Sequence, residues 1–389
     1  MDTTRFATIF RSPIAAGSYC DLLRRIAILA PGLALLLALL TGPALAALRI
    51  GTNGNETLVG TTENDQITGK GGDDILKGKA GNDTYFFADN WGTDTLVETA
   101  TGGTDTVNFR GVTSGRVQVY LVPEWFNKDA FRNSAEGPGG EVVRFRYTVN
   151  GETVQSIVEN AIGGQGDSDL IAGGKGKNIL QPGGGPFDQL VDFGGYTDPT
   201  KALPNLPVSN DVFKGFASNT GTDRVQDWGG SGDVLDLRPL ETADVYLTSF
   251  DFDSDDEATE ETLQIVTSPT TQVIVLGHLG PVGGLGALGY DGHIETIIFA
   301  DQTITESSAA QALATASAEP TSAKQRRLAD AAEGLAKEAR ARAEKDDLLG
   351  LDRVLGGEGG TQVAAATSAD KHPKHKQDRK PKATRKRRR

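Results

Sequence analysis

The sequence contains few of the residues that commonly provide cross-links or catalysis. Its 389 residues include one cysteine, Cys20, which lies near the N-terminus. Because one cysteine cannot form an internal disulfide, an exported form with a thin core needs another source of stability. The sequence also has only four histidines and no His-Glu-x-x-His motif. These shortages exclude a disulfide scaffold and a zinc protease of that type.

No other catalytic motif is complete in the sequence. Gly166-Asp167-Ser168 looks like the start of a hydrolase motif, but Asp169 follows where an aliphatic residue is expected. We therefore expect no enzymatic activity. One alternative stays open, an enzyme that acts on anionic polysaccharide, because a stacked β-coil can carry catalytic carboxylates without a recognisable sequence signature.

Glycine, by contrast, is abundant and recurs at every ninth residue from Gly51. It accounts for 49 of 389 residues, so four glycines in one register would arise by chance roughly once in four thousand trials. The four nonapeptides start at Gly51, Gly60, Gly69 and Gly78. Position six of each is acidic: Glu56, Asp65, Asp74 and Asp83. Position eight is apolar or aromatic: Leu58, Ile67, Leu76 and Tyr85.

This pattern has a direct physical interpretation. Glycine-rich turns adopt positive φ at little cost and can direct backbone carbonyls inward. The acid at position six adds a carboxylate to the same loop, and such oxygen ligands suit Ca²⁺. The residue at position eight lies on a short strand and is buried only when repeats stack. The pattern therefore predicts a calcium-binding β-coil; the alternative is an array of glycine-rich loops whose acids are solvated.

The same residues resemble the repeat-in-toxin (RTX, haemolysin-type) calcium-binding family, whose consensus is GGxGxDxUx. The resemblance implies an all-β fold, a parallel β-roll or β-solenoid with two nonapeptides per turn and Ca²⁺ between loops two repeats apart. Loop 51–56 would then pair with 69–74, and loop 60–65 with 78–83. The implied ligands are side chains at position six and glycines at position four: Glu56, Asp65, Asp74, Asp83, Gly54, Gly72 and Gly81.

This sequence departs from the family consensus at several loop positions. Position two is threonine or lysine where the family usually has glycine: Thr52, Thr61, Lys70 and Lys79. A second block with nearly the same period covers 164–191, interrupted by Pro182. Its position-six residues are Asp169, Asn178 and Asp188. We expect a coil of the same shape with fewer or weaker ions, bound through Asp169 and Asp188; the alternative is that this block keeps the fold and binds nothing.

Changes in composition along the chain predict six segments. Asn150-Gly151 predicts a hairpin turn within the third segment. Residues 323–345 predict a solvated helix with a thin apolar face or a disordered linker, and the alternative is a helix that binds a partner. The segments are a signal peptide (1–46), a first RTX block (47–110), a β excursion (111–160), a second, degenerate RTX block (161–195), a β capping region (196–305) and a helical or disordered linker with a basic tail (306–389).

Charge is distributed very unevenly along the chain. The tail 371–389 contains 11 Lys and Arg residues and a single acid, Asp378. Residues 47–370 contain 24 basic and 49 acidic residues, a net charge of −25. Such an acidic body repels itself unless cations bind, so we expect folding to be coupled to Ca²⁺. The tail predicts a contact with an anionic wall polymer or polysaccharide, rather than a nuclear signal or a specific nucleic-acid partner.

The N-terminal segment has the features of an export signal. Arg24 and Arg25 precede an uncharged stretch, 26–48, and Ala44-Leu45-Ala46 fits a cleavage site of small residues. This predicts a secreted or cell-surface protein with no membrane span after cleavage. An uncleaved membrane anchor is the alternative, because about 20 apolar residues can span a bilayer. A wall-attached binding protein that acts through its basic tail is a further alternative for the function.

We predict that the exported chain begins near Ala47. A signal peptidase that recognises the small residues before this position removes both arginines and the apolar stretch. N-terminal sequencing of the exported protein checks the cleavage position. Recovery of an intact Arg24-Arg25 pair on a membrane-bound product would instead support the anchor.

Overall fold

The computed structural model describes a defined set of residues, to which all structural statements apply. Most of the predicted signal peptide, the Asn150-Gly151 turn and the basic tail lie outside this set. No described helix has the length and apolar character needed to cross a membrane. The described residues are 45–98, 102–121, 134–149, 152–155, 158–174, 176–192, 209–216, 221–227, 232–250, 262–276, 294–305, 320 and 322–345.

Short strands, numbered in chain order, form two large sheets and one separate hairpin. The first sheet has ten strands. In spatial order they are β1 (Leu48–Ile50), β3 (Gln66–Thr68), β5 (Thr84–Ala88), β7 (Thr106–Gly111), β13 (Asn160–Ile162), β15 (Ile179–Gln181), β17 (Val212–Lys214), β19 (Val234–Asp236), β23 (Thr296–Ile298) and β24 (Thr303–Thr305).

The second sheet has twelve strands. In spatial order they are β2 (Thr57–Val59), β4 (Ile75–Lys77), β6 (Thr93–Val97), β10 (Val142–Arg144), β9 (Ser134–Glu136), β8 (Gln118–Tyr120), β14 (Leu170–Ala172), β16 (Phe187–Val191), β18 (Gly221–Gln226), β22 (Thr271–Leu276), β21 (Thr262–Ser268) and β20 (Tyr246–Phe250). The hairpin consists of β11 (Arg146–Val149) and β12 (Glu152–Gln155), and the helix is α1 (Ala323–Lys345).

Successive strands alternate between the two sheets, which makes the repeats a parallel β-roll. Arg49 of β1 lies opposite Ile67 of β3, and Leu58 of β2 lies opposite Leu76 of β4. Each strand therefore pairs with the strand two nonapeptides later, and the predicted two repeats per turn are confirmed. This alternation brings loop 51–56 against 69–74 and loop 60–65 against 78–83.

The position-eight side chains form the interior of the roll. Ile67, Leu76 and Tyr85 are fully buried, and Leu58 in the first turn is partly buried against them. Their core is continuous with that of the later turns as far as Ile304. A nine-residue period thus buries one large side chain for each short strand, which no single repeat could do.

The roll continues through the predicted excursion and the second block. Strand β13 pairs in parallel with both β7 and β15, so the first sheet is unbroken there. In the second sheet, β8, β9 and β10 form antiparallel pairs between β6 and β14. The predicted hairpin is present, since β11 pairs antiparallel with β12. The second block adds β14, β15 and β16 in the same alternating arrangement, which confirms the expected coil shape.

Antiparallel strands end the described part of each sheet. The first sheet finishes with β23 and β24, and the second with β22, β21 and β20. Strands β20 to β24 all lie within the segment predicted as a β capping region, 196–305. An antiparallel return pairs backbone groups that would otherwise lie at the open end of a parallel stack.

The helix predicted at residues 323–345 is present, but the expectation that it is solvated was wrong. Helix α1 packs on the outer face of the second sheet, where Leu328, Ala332 and Leu335 contact Val266. The buried Gln264 amide donates to the Ala332 carbonyl at 2.9 Å. On the same face, the Gln272 side-chain amide donates to the Leu335 carbonyl, also at 2.9 Å. The apolar face of the helix has few large residues, but its alanines let the helix approach the sheet closely. The two sheet glutamines then satisfy their hydrogen bonds on backbone carbonyls of the helix.

Candidate metal centres

The acids at position six form ladders along the roll. One carboxylate oxygen of each accepts the backbone amide of the position-six residue in the preceding turn. The Glu56 amide donates to Asp74 Oδ1 at 2.8 Å, and the Asp65 amide donates to Asp83 Oδ1 at 2.7 Å. The ladders extend past the regular repeats, because the Asp74 and Asp83 amides donate to two later acids, Asp94 and Asp105. At each of these amides, a stacked carboxylate takes the place of a backbone carbonyl, while the next amide after Asp65, Asp74 and Asp83 still pairs with the backbone of the preceding turn.

The second carboxylate oxygen accepts hydrogen bonds in the first two repeats but not in the last two. In the first repeat, the Thr52 amide and hydroxyl both donate to the Glu56 carboxylate at 2.7 Å. Thr61 makes the same two contacts with Asp65 in the second repeat. By contrast, Asp74 Oδ2 is buried in the third repeat and has no hydrogen-bond donor. The equivalent Oδ2 of Asp83 in the fourth repeat is in the same condition.

The residue at position two accounts for this difference. In the third and fourth repeats, Lys70 and Lys79 have φ of 71° and 89°, a conformation rare for residues other than glycine. Thr52 and Thr61 do not adopt it and instead use their hydroxyls to complete the loop. The sequence departs from the family pattern in all four repeats. Only the threonine loops satisfy their acids internally, so the loops with lysine are the better candidates for a cation.

The glycine at position one is needed for space rather than for positive φ. A Cβ on Gly60 would lie under 3.0 Å from Asp65 Oδ2 and from the Gly78 carbonyl oxygen. Gly69 and Gly78 would meet the carboxylates of their own loops in the same way. Positive φ occurs instead at position four, with values of 111° for Gly72 and 107° for Gly81. Glycine thus recurs every nine residues because a carboxylate occupies the space beside each position one.

Burial changes the acidity of these groups along the ladders. Burial raises the pKa of Asp74 and Asp83, and it raises that of Asp94 to about 7. Asp105 has a pKa raised to about 8 by burial and by nearby carboxylates. For Asp65, burial acts in the same direction, but hydrogen bonds from Thr61 and Ala47 outweigh it and lower the pKa. A bound divalent cation would favour the charged form of every raised group.

The second block holds its acids through direct hydrogen bonds. Asp169 accepts the Val117 amide at 2.8 Å through one oxygen and the Gly164 amide at 2.5 Å through the other. The Asn178 side chain accepts from Gly174 and donates to the Glu159 carbonyl. Asp188 accepts the Asp169 amide at 2.9 Å, and burial raises its pKa to about 6. These contacts keep the coil closed with both Asp169 oxygens already engaged.

The register of this block is shifted by one residue from the one we inferred from spacing. A Cβ on Gly163 would lie 2.6 Å from Asp169 Oδ2, the contact that marks position one in the first block. The Gly163 amide also donates to the Gln181 carbonyl, as the Gly51 amide does to Thr68. The repeat therefore starts at Gly163 rather than Gly164, and its loop is one residue longer.

The structure also brings together acids that the sequence pattern did not identify as ligands. Among the described residues there are two buried groups whose carboxylate oxygens lie within 4.8 Å of one another. They are Asp83 with Glu98 and Asp105, and Asp192 with Asp211 and Asp227. The pairing of β4 with β6 places Glu98 opposite Gly78, and the pairing of β16 with β18 places Asp192 opposite Asp227. Longer loops break the nine-residue count here, so only strand register could reveal these groups.

Comparison with known proteins supports the identity of the repeats. Residues 50–85 match the family described as the RTX calcium-binding nonapeptide repeat, in four copies. The predicted RTX repeats are therefore confirmed for this segment. Among solved structures, the chain is similar to the extracellular lipase LipA from Serratia marcescens, with 17% identity and a TM-score of 0.16. The alignment covers 61% of this chain and 38% of the lipase chain. No curated protein matches the sequence.

We predict that Gly60→Ala destabilises the roll while Gly54→Ala does not. The new methyl group at residue 60 must displace the Asp65 carboxylate or the adjoining loop, at a cost of about 2 kcal/mol in the free energy of unfolding. At residue 54 the nearest atom is Thr52 Oγ1 at 3.7 Å, an ordinary contact. Urea unfolding of both variants in calcium measures the difference. Equal stabilities would contradict the assigned role of position one.

Proposed function

We propose that this protein is a calcium-binding β-roll that folds on binding Ca²⁺ and acts outside the cytoplasm as a structural or binding module, without catalysis. One observation carries the proposal. In the third and fourth matched repeats, which belong to different ladders, Asp74 Oδ2 and Asp83 Oδ2 are buried without a hydrogen-bond donor. Buried carboxylate oxygens without partners are costly, and a cation is the partner that the repeat family takes at this position.

The donors available in these loops suit Ca²⁺. Carboxylates at position six and backbone carbonyls of glycine loops are hard oxygen ligands. Gly72 and Gly81 contribute the turns that hold those loops, with the positive φ described above. Asp65 and Glu56 belong to the outer loops and already accept hydrogen bonds from threonine. We therefore assign the main role in binding Ca²⁺ to Asp74 and Asp83. Glu56 lies in the same ladder as Asp74, and Asp65 in the same ladder as Asp83.

Coupling between binding and folding follows from charge. The segment 47–370 has 49 acidic and 24 basic residues, and several of its acids are buried side by side in the roll. Repulsion between such carboxylates opposes the folded state, and bound Ca²⁺ offsets that repulsion. Since the chain has one cysteine, a metal is the cross-link that remains available to it.

We predict that Asp74→Ala removes at least one Ca²⁺ ion and that Asp73→Ala does not. The two substitutions remove the same charge from adjacent residues, but Asp73 is exposed whereas Asp74 lies in the ladder. Calorimetric titration of the full chain measures the stoichiometry, and circular dichroism with and without chelator measures the coupled folding. Wild-type stoichiometry in Asp74→Ala, or identical spectra in both conditions, would contradict the proposal.

The basic tail motivates a second candidate function, attachment to an anionic wall polymer. Its 11 cations in nineteen residues leave electrostatic attraction as the main source of affinity. Salt should weaken such binding, because the Debye length falls from about 10 Å at 0.1 M to about 3 Å at 1 M. Retention on a polyanion resin, compared between the full chain and a deletion of 371–389 at both salt concentrations, measures the effect. Retention that ignores salt or survives the deletion would disprove attachment through the tail.

A further inference from the structure

The first irregular turn of the roll places an acid where the repeats have glycine. Strand β6 pairs with β4 so that Val97 lies opposite Lys77, and Glu98 therefore lies opposite Gly78. The Gly78 amide donates to Glu98 Oε1 at 2.9 Å. One turn earlier, the equivalent residue is Gly78 itself, whose missing side chain makes room for the Asp83 carboxylate. Glu98 is thus a position-one residue that adds a carboxylate to the ladder.

Several oxygens converge on this point. A Cβ placed on Gly78 would lie under 3.0 Å from Asp83 Oδ2, Glu98 Oε1 and the Tyr85 hydroxyl. Oxygens of Asp83, Glu98 and Asp105 all lie within 4.8 Å of one another, and each of the three residues is at most 2% exposed. Three carboxylates in one buried volume offer a divalent cation more negative charge than it carries. Such a high count of charged ligands favours tight binding.

Two of the oxygens in this group have no hydrogen-bond donor. Asp83 Oδ1 accepts the Asp65 amide at 2.7 Å and Asp105 Oδ1 accepts the Asp83 amide at 2.8 Å. The Oδ2 atoms of both residues are buried and receive no hydrogen bond. The backbone therefore orients each carboxylate through one oxygen and leaves the other without a donor, and that of Asp83 lies beside Glu98 Oε1 at Gly78. Such an arrangement is incomplete without a further positive partner.

We propose that Asp83, Glu98 and Asp105 bind a divalent cation, with Ca²⁺ the ion that fits three carboxylates best. The proposal rests on the proposed function, because it needs the roll to bind Ca²⁺, and it adds a site beyond the matched repeats 50–85. Tyr85 is a positioning residue: its hydroxyl donates to Glu98 Oε1 and holds that carboxylate over Gly78.

The experiment uses the full chain with Ca²⁺ and with Tb³⁺, which enters oxygen-rich calcium sites. Tb³⁺ emits when a tyrosine beside it transfers excitation energy, so Tyr85 reports on this site. Glu98→Gln should lower the affinity of one calcium site by about tenfold or more, because a carboxylate ligand is lost. Tyr85→Phe should lose most of the tyrosine-excited emission while the calorimetric Ca²⁺ stoichiometry is kept. Glu136→Gln, on the exposed Glu136 of β9, is the control for loss of one charge.

The outcomes separate this site from the proposed function. If Asp74→Ala loses an ion while Glu98→Gln keeps wild-type affinity at every site, the site at Glu98 is wrong and the calcium-binding roll stands. If the wild-type chain binds no Ca²⁺, both proposals fail. Should Glu98→Gln not fold, Tyr85→Phe decides, because it leaves all three carboxylates in place. Undiminished tyrosine-excited Tb³⁺ emission from Tyr85→Phe would overturn the assignment.

Discussion

The structure depends on a buried carboxylate that each regular turn places against the backbone of the turn before it. One oxygen accepts an amide from the preceding loop, as Asp83 does from Asp65 at 2.7 Å. The other lies against the Cα of the position-one residue of its own loop, which must therefore be glycine. The spacing of strands, the length of the acid and the absence of a side chain are all set by this contact. The nine-residue period follows from it.

This contact also places like charges in a buried column. Burial raises the pKa of Asp94 to about 7 and that of Asp105 to about 8, because both are distant from water and close to other acids. A hydrogen-bond donor in the loop relieves the problem locally, as Thr61 does for Asp65. A divalent cation bound between turns would offset the remaining repulsion. Threonine and lysine at position two therefore divide the loops into internally satisfied ones and ones suited to a cation.

The later turns preserve the roll while replacing that contact. The Asn178 side chain bridges Gly174 and Glu159, so an amide takes the place of the position-six carboxylate. Three antiparallel strands, β8 to β10, enter the second sheet without interrupting the core. On the outside, Gln264 and Gln272 bind the backbone of α1 and join the C-terminal helix to the sheet. Asn178, Gln264 and Gln272 thus provide hydrogen bonds in parts of the chain that lack the regular repeat.

The sequence alone determined the parallel β-roll, the pairing of loops two repeats apart and the stacking of the acids Asp65, Asp74 and Asp83, because all three follow from a strict period. It could not place Glu98 beside Asp83, since the loop before Asp94 adds two residues to the regular turn of eighteen and only the pairing of β4 with β6 shows where Glu98 lies. It also misjudged the start of the second block at Gly164 and the solvation of helix α1. Register across long loops, and the docking of a thin alanine face, depend on contacts between distant residues, and only the tertiary structure decides them.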